Sequence, residues 1–292
     1  MQYAFFDQNG ALDRVLMRLQ IRAALCGGAH GVTTLGLATE VGKLSDAERR
    51  QAVEWALEDT DGRLPVGVTI PSGPVAEQIE FARWVSGQGA SWVILQPPPE
   101  RGFPESHYVA HFESVMRELD VPVAIQNAPE YLGVGLSAGS ILAMARRHRN
   151  FSVIKAEGPA TAIERIVVAV HGSVAVFNGR NGQELLDNLR AGCVGMIPAT
   201  DTFDWQVRVF ESMRTGDLVE AERVYGEVLP AIVFGMQSLE SLICYGKRIA
   251  AWRMGWASEV YDRNPSIAPT SFGLACARRF SEALGPLLLS TG

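Results

Sequence analysis

Cysteine is scarce and unpatterned. The four in these 292 residues, Cys26, Cys193, Cys244 and Cys276, stand far apart, and none belongs to a Cys-x-x-Cys pair. That excludes a zinc spacing and a disulfide framework, and leaves free thiols in a reducing compartment. Long apolar runs are also lacking: none approaches the roughly 20 residues that a membrane span needs. The start, Met-Gln-Tyr-Ala-Phe-Phe-Asp, has no basic stretch followed by an apolar one, so no secretory signal is read. The expectation is a cytoplasmic protein with no membrane partner. No excess of positive charge appears, since 26 Lys+Arg face 32 Asp+Glu for a net charge of -6. A nucleic-acid partner is therefore not expected. The five histidines, His30, His107, His111, His148 and His171, form no ligand-spaced set. The pair at i, i+4, His107 and His111, has no third ligand nearby, so neither a metal nor a cofactor is called for.

What is present is a repeating alternation of strand-length apolar runs and helical periods. At 47% hydrophobic and 20% charged, the chain can bury a sizeable core. The strands are read at Tyr3 to Phe6, Gly31 to Leu37, Pro65 to Ile70, Trp92 to Gln96, Pro122 to Gln126, Val153 to Glu157, Ala175 to Asn178 and Val194 to Ile197. Each is read as apolar on both faces, as buried parallel strands are. Helices fill the intervals, and Ser45-Asp46-Ala47-Glu48 reads as a capping box that starts one of them. Eight strand–helix units predict an α/β fold, a closed (β/α)8 TIM barrel over residues 1–215. Residues 216–292 keep a helical period and predict a C-terminal helical layer. An open doubly wound sheet is the competing architecture, but no Gly-x-Gly-x-x-Gly turn follows the first strand.

The stretch Phe151-Ser152-Val153-Ile154-Lys155-Ala156-Glu157-Gly158-Pro159 stands out, because an apolar strand ends in a lysine with a glutamate two residues on. Alternation along a strand puts Lys155 and Glu157 on one face. Two readings fit the lysine. Its head could reach solvent while the stem packs. Or the amine is desolvated, which disfavours its charged form and makes it a nucleophile able to form a Schiff base with a ketone. The barrel tips the balance, because barrel chemistry sits at the C-terminal ends of the strands. Polar residues gather there: Thr39 and Glu40, Gln126 and Asn127, Lys155 and Glu157, Asn178, Arg180 and Asn181, then Thr200 and Asp201. The fourth strand ends in Gln96-Pro97-Pro98-Pro99, which offers little chemistry by itself. Lys247, in Tyr245-Gly246-Lys247 on a helix beyond the barrel, is read as a solvated or interface lysine.

Taken in order, these segments resemble the dihydrodipicolinate synthase and N-acetylneuraminate lyase family of Schiff-base barrel enzymes. The resemblance is carried by Asp7-Gln8-Asn9-Gly10-Ala11-Leu12-Asp13, by Gly31 to Leu44 with Ser45-Asp46-Ala47-Glu48-Arg49, by Val153-Ile154-Lys155 and by Asn178-Gly179. It implies a barrel with a C-terminal helical layer, commonly a homotetramer, and Lys155 as the residue that forms an imine with a 2-keto acid. The chain departs from the pattern at four places. Gly36-Leu37-Ala38-Thr39-Glu40 stands where the family has Gly-Thr-Thr-Gly-Glu. Gln126 precedes Asn127-Ala128-Pro129 where the family has a proton-relaying tyrosine, and glutamine cannot relay a proton as a phenol does. The proline run replaces the tyrosine after strand four, and Tyr131 stands for the synthase's arginine.

The expected activity is a class I lyase acting on a 2-keto acid, through aldol cleavage or dehydration of a 2-keto-3-deoxy sugar acid. A synthase-type condensation of pyruvate and a non-catalytic keto-acid-binding barrel are the alternatives. Lys155 is the expected nucleophile and Glu157 the proton-transfer group. The alternative for Glu157 is a partner that only neutralises Lys155 or caps the loop. The substrate carboxylate is assigned to amides around Ala38 and Thr39 with the Thr39 hydroxyl. Arg180 could clamp a second acidic group or pair with Glu184. Gln126 and Asn178 could read substrate hydroxyls or brace their loops, and Tyr131 could fill the mouth or a subunit contact. The expected partners are the small-molecule 2-keto acid and further copies of this chain, in a dimer or tetramer.

Overall fold

The computed structural model describes residues 1–289. In chain order the elements are α1 (Arg14–Cys26), β1 (Val32–Thr34), α2 (Asp46–Thr60), β2 (Val66–Ile70), α3 (Val75–Gly87), β3 (Trp92–Leu95), α4 (Glu105–Met116) and β4 (Val123–Asn127). Next come α5 (Pro129–Leu132), α6 (Ala138–Arg147), β5 (Phe151–Ala156), α7 (Ala160–Val170), β6 (Ala175–Asn178), α8 (Leu185–Arg190) and β7 (Gly195–Met196). The rest is helical: α9 (Phe203–Thr215), α10 (Leu218–Gly235), α11 (Leu239–Ser241), α12 (Lys247–Arg253) and α13 (Ser271–Leu284). The seven strands stand in the sheet in chain order, β1 to β7. Among the described residues no single helix is long and apolar enough to cross a membrane.

Two compact units make up the chain: residues 67–197, and residues 1–66 with those from 198 onward. In the first of these, β2 through β7 pair in parallel with each neighbour. Strands β2 and β4 are buried along their whole length, and β4 is apolar on both faces from Val123 to Ile125 before it ends in Gln126 and Asn127. Register fixes what lies side by side at the C-terminal ends. Leu95 is level with Ile125, Gln126 with Lys155, and Ala156 with Asn178. Gln126 and Lys155 are therefore level on adjacent strands, and Gln96, one residue past the end of β3, continues the same row.

In the other unit the helix starts follow their sequence signals. The Asp13 carboxylate accepts from the amides of Val15 and Leu16 at 2.9 and 3.0 Å, and Ser45 and Glu48 close the capping box of α2. One expected strand is absent. Tyr3 to Phe6 is buried, but only Phe6 makes isolated bridges, to Leu12 and Tyr261. The reason is local: the Gln20 side chain takes the place of a neighbouring strand, accepting from Tyr3 N at 2.8 Å and donating to Tyr3 O at 3.0 Å.

Within the C-terminal helical layer a π-helical turn at Leu242–Gly246 separates α11 from α12. Gly246 lies against the Tyr3 hydroxyl, and a Cβ at this position would collide with that oxygen. This turn leads into Lys247, which is fully buried rather than solvated. Its ammonium donates to Glu40 Oε1 and lies 3.6 Å from Asp262 Oδ1. An ammonium without solvent needs such partners.

Candidate active site

Lys155 is the penultimate residue of β5, and its side chain is only 6% exposed. Glu157, one residue beyond the strand, is buried as well, and its backbone amide donates to Asn127 O at 2.8 Å, which holds the chain in line with β4. As strand alternation requires, the two side chains meet: Lys155 Nζ lies 2.5 Å from Glu157 Oε1. Gln126 Nε2 donates to the same oxygen at 2.8 Å. Both donors are on Oε1, so Oε2 is the carboxylate oxygen that neither of them occupies.

Gly179 makes room for this pair. A Cβ there would approach Lys155 Cε to 2.7 Å and Glu157 Oε1 to 2.8 Å. Asn178, at the end of β6, is a brace rather than a free reader of hydroxyls. Its amide nitrogen donates to Gly158 O at 3.2 Å and Asn188 Oδ1 at 3.0 Å, while its oxygen accepts from Arg180 N at 2.9 Å. Asn127 similarly ties the following loop, exchanging hydrogen bonds with the backbone of Leu136.

Arg180 does pair with Glu184, at 3.2 Å, and lies 3.8 Å from Glu130. Its Nε is nevertheless buried with no hydrogen-bond partner, so the guanidinium keeps a donor to spare. Tyr131, on α5, is half-buried beside it. Burial raises the phenol's pKa, a hydrogen bond with Arg180 works against that rise, and the charge of Glu157 adds to it. Arg180, Tyr131 and Glu157 thus share one neighbourhood.

Thr39 differs from expectation. The residue is fully buried, its hydroxyl donates to Gln2 O at 2.6 Å, and its amide donates to Gly36 O at 3.0 Å. Neither donor is left for a substrate carboxylate. Ala38 lies buried in the same turn. This turn is strained at both flanks, with Leu35 at φ 60 and Glu40 at φ 53, a conformation that costs non-glycine residues energy and collects near functional loops.

One group is invisible in the sequence. Gln96, placed just past β3 at the head of the proline run, donates through Nε2 to Gln126 Oε1 at 3.0 Å. Only the register of β3 against β4 reveals it. All four cysteines are free; Cys193 and Cys244 are buried, and burial pushes the Cys193 thiol up to about 11.

Lys155 and Glu157 are thus in contact and buried at the C-terminal end of a parallel strand, the end at which barrel enzymes carry their chemistry. The chain belongs to the Dihydrodipicolinate synthetase family, whose model matches residues 2–271. A 4-hydroxy-tetrahydrodipicolinate synthase of Methanoculleus marisnigri is 27% identical over 227 residues, 77% of each chain. YjhH of Escherichia coli, named as a probable 2-dehydro-3-deoxy-D-pentonate aldolase, is 26% identical over 248 residues, 82% of each. Among solved structures, YagE, a prophage protein of the dihydrodipicolinic acid synthase family from E. coli in complex with pyruvate, superposes with a TM-score of 0.87 at 20% identity. That match covers 97% of this chain and 96% of the other. The chloride-inhibited dihydrodipicolinate synthase of Acinetobacter baumannii, complexed with pyruvate, gives 0.87 at 17% identity over 97% and 96%. The fold is thus the (β/α)8 barrel of these proteins with C-terminal helices.

Proposed function

We propose that this protein is a class I lyase that forms a Schiff base between Lys155 and a 2-keto acid, and that its substrate is a 2-keto-3-deoxy sugar acid. The observation that carries the reading is the buried contact of Lys155 Nζ with Glu157 Oε1 at 2.5 Å. Glu157 is placed to take the ammonium's proton. The freed amine then attacks the ketone carbon, Glu157 returns its proton to the carbinolamine hydroxyl, and loss of that group as water gives an iminium beside a regenerated carboxylate. The iminium draws electrons from C3, so the Glu157 carboxylate removes a C3 proton and an enamine forms. Expulsion of the 4-hydroxyl with a returned proton releases water, which is dehydration. In aldol cleavage the base instead takes the proton of the 4-hydroxyl, and the bond between C3 and C4 breaks into an aldehyde and an enamine. After cleavage the protonated Glu157 returns its proton to C3 of the enamine, and hydrolysis of the iminium present at the end of either route frees Lys155.

Support for a polyhydroxy acid comes from the aldolase named for YjhH. The spare Nε of Arg180, in the neighbourhood of Tyr131 and Glu157, is also a donor suited to a carboxylate or hydroxyl. Borohydride reduction in the presence of pyruvate tests the chemistry. The expected result is a stable mass increase on the peptide containing Lys155, followed by turnover of one or more 2-keto-3-deoxy acids in a panel. An unmodified Lys155 under those conditions overturns the reading. Turnover only in the direction of condensing pyruvate with an aldehyde would replace the lyase by a synthase.

A further inference from the structure

The hydrogen bonds behind Glu157 run in one direction, and a group that can only donate sets that direction. Ser72 N donates to Gln96 Oε1 at 3.3 Å. A backbone N–H cannot accept, so Gln96 must turn its oxygen toward Ser72 and its nitrogen toward Gln126. Gln126 then receives that nitrogen on its own oxygen, at 3.0 Å, and is left with only its nitrogen for Glu157, at 2.8 Å. Gln96 itself is held from behind. Gln78 Nε2 donates to Gln96 O at 3.0 Å and to Pro71 O at 2.8 Å. Both of those are carbonyls, so Gln78 Oε1 faces His111 Nε2 at 2.9 Å, and this nitrogen of the imidazole carries the hydrogen. Gln78, Gln96 and Gln126 are all buried.

We propose that Gln96 and Gln126 are positioning residues, a one-way amide chain that delivers an N–H to Glu157 Oε1 and so reserves Oε2 for the substrate proton. This rests on the lyase reading and adds to it which oxygen acts and what holds it. Oε1 is committed to Gln126 and Lys155. When the lysine becomes an iminium and gives up its bond to the carboxylate, the Gln126 bond remains, and the base keeps its aim through the proton transfer. No proton travels along the chain, because an amide donates and accepts without ionising.

The direction can be reversed by one isosteric change. In Gln96→Glu an ionised carboxylate accepts from both Ser72 N and Gln126 Nε2. Gln126 must then present its oxygen to Glu157, an acceptor facing an acceptor. Gln96→Met removes the link without reversing it. The readout is exchange of the pyruvate methyl protons in D2O, followed by proton NMR, with borohydride trapping on Lys155 measured alongside. Wild type is expected to trap pyruvate and to exchange its methyl protons. Gln96→Met is expected to trap to the wild-type extent while exchanging about 10- to 100-fold more slowly, the size of one lost hydrogen bond to a charged group. Gln96→Glu is expected to exchange more slowly still. Its rate relative to wild type should recover as pH falls, because the introduced carboxyl, once protonated, donates to Gln126 and restores the direction. The titratable groups at the ends of the chain are Lys155 and Glu157 on one side and His111 on the other. They are common to both proteins and cancel in the ratio.

If wild type traps no pyruvate, the lyase reading has failed. If wild type traps and exchanges, and Gln96→Glu traps and exchanges at the same rate, the amide chain has no role and only this inference falls. If wild type traps without exchanging, Glu157 is not the C3 base, and the inference falls with that assignment. Loss of trapping in Gln96→Glu with retained trapping in Gln96→Met also counts against it, since the chain is assigned to the proton step and not to imine formation.

Discussion

Glu40 and Lys247, 207 positions apart in the chain, form a buried ion pair. Glu40 has a second cation, Lys43 Nζ, at 2.6 Å on its other oxygen. Lys247 has no second carboxylate as close, since Asp262 Oδ1 lies 3.6 Å away and Asp262 is itself held by Arg248 at 2.7 Å. The Phe6 ring, 5.3 Å from Lys247 Nζ, is the other group facing the charge. The pair is therefore asymmetric. Glu40→Ala strands a buried ammonium and is expected to cost about 3–5 kcal/mol, whereas Lys247→Met leaves Glu40 neutralised by Lys43 and is expected to cost about half as much or less. Urea denaturation of the two variants measures the difference. Equal losses would mean that Lys43 does not serve Glu40 in solution.

The roles assigned to Lys155 and Glu157 separate by the step at which each variant stops. Lys155→Ala is expected to lose both the borohydride adduct and all turnover. Glu157→Gln keeps an oxygen to accept from Lys155 and Gln126 but cannot take a proton. It is expected to form the adduct more slowly but to reach it on long incubation, and to lose about 10²- to 10⁴-fold in turnover, the usual worth of a positioned base. Full turnover by Glu157→Gln would reduce Glu157 to a neutralising partner of the lysine.

Gly179 offers a way to disturb the pair without touching either member. Its backbone does not require positive φ, so alanine is acceptable to the chain, but the added Cβ would stand 2.7 Å from Lys155 Cε and 2.8 Å from Glu157 Oε1. The displaced lysine should form its adduct more slowly, by about 10²-fold if the amine moves by about 1 Å. Rapid-quench borohydride trapping, with circular dichroism to confirm the fold, checks this. An unchanged trapping rate would show that the pair relaxes into other space at no cost.

Period and burial make most of the fold legible. Strands buried on both faces announce themselves as apolar runs, and Ser45 with Glu48 announces the start of α2, because those signals are local to the chain. The contact of Lys155 with Glu157 is legible for the same reason, being a matter of alternation within one strand. Gln96 is not. Its meaning lies in the side chain of Gln126, 30 residues away, and only strand register brings the two together. Lys247 escapes a sequence reading because nothing local distinguishes a helix lysine in solvent from one facing a distant Glu40. Tyr3 to Phe6 has strand composition, yet the Gln20 amide satisfies the Tyr3 backbone. Thr39 has the chemistry of a ligand donor, but the Gln2 carbonyl holds its hydroxyl.

Acid sensitivity should be traceable to Glu48. Hydrogen bonding from the Arg263 guanidinium, with help from Ser45, holds this carboxyl down at about 2 against an ordinary value of 4.5. Arg263 is in turn fixed by stacking 4.3 Å from the Phe6 ring and by donating to Gly10 O. A pKa lowered by folding means that the unfolded chain binds the proton more readily. The contribution to stability is therefore whole above about pH 4.5 and disappears as pH falls toward about 2. Glu48→Gln isolates this charge, because glutamine can still close the capping box with Ser45. The stability difference between wild type and Glu48→Gln, read from urea midpoints, should be largest near neutrality and shrink steadily across that acid range, while contributions from Asp59 and other distant carboxyls cancel in the difference. A gap that stays constant down to about pH 2 would mean that the variant removes packing around Arg263 and not a charge.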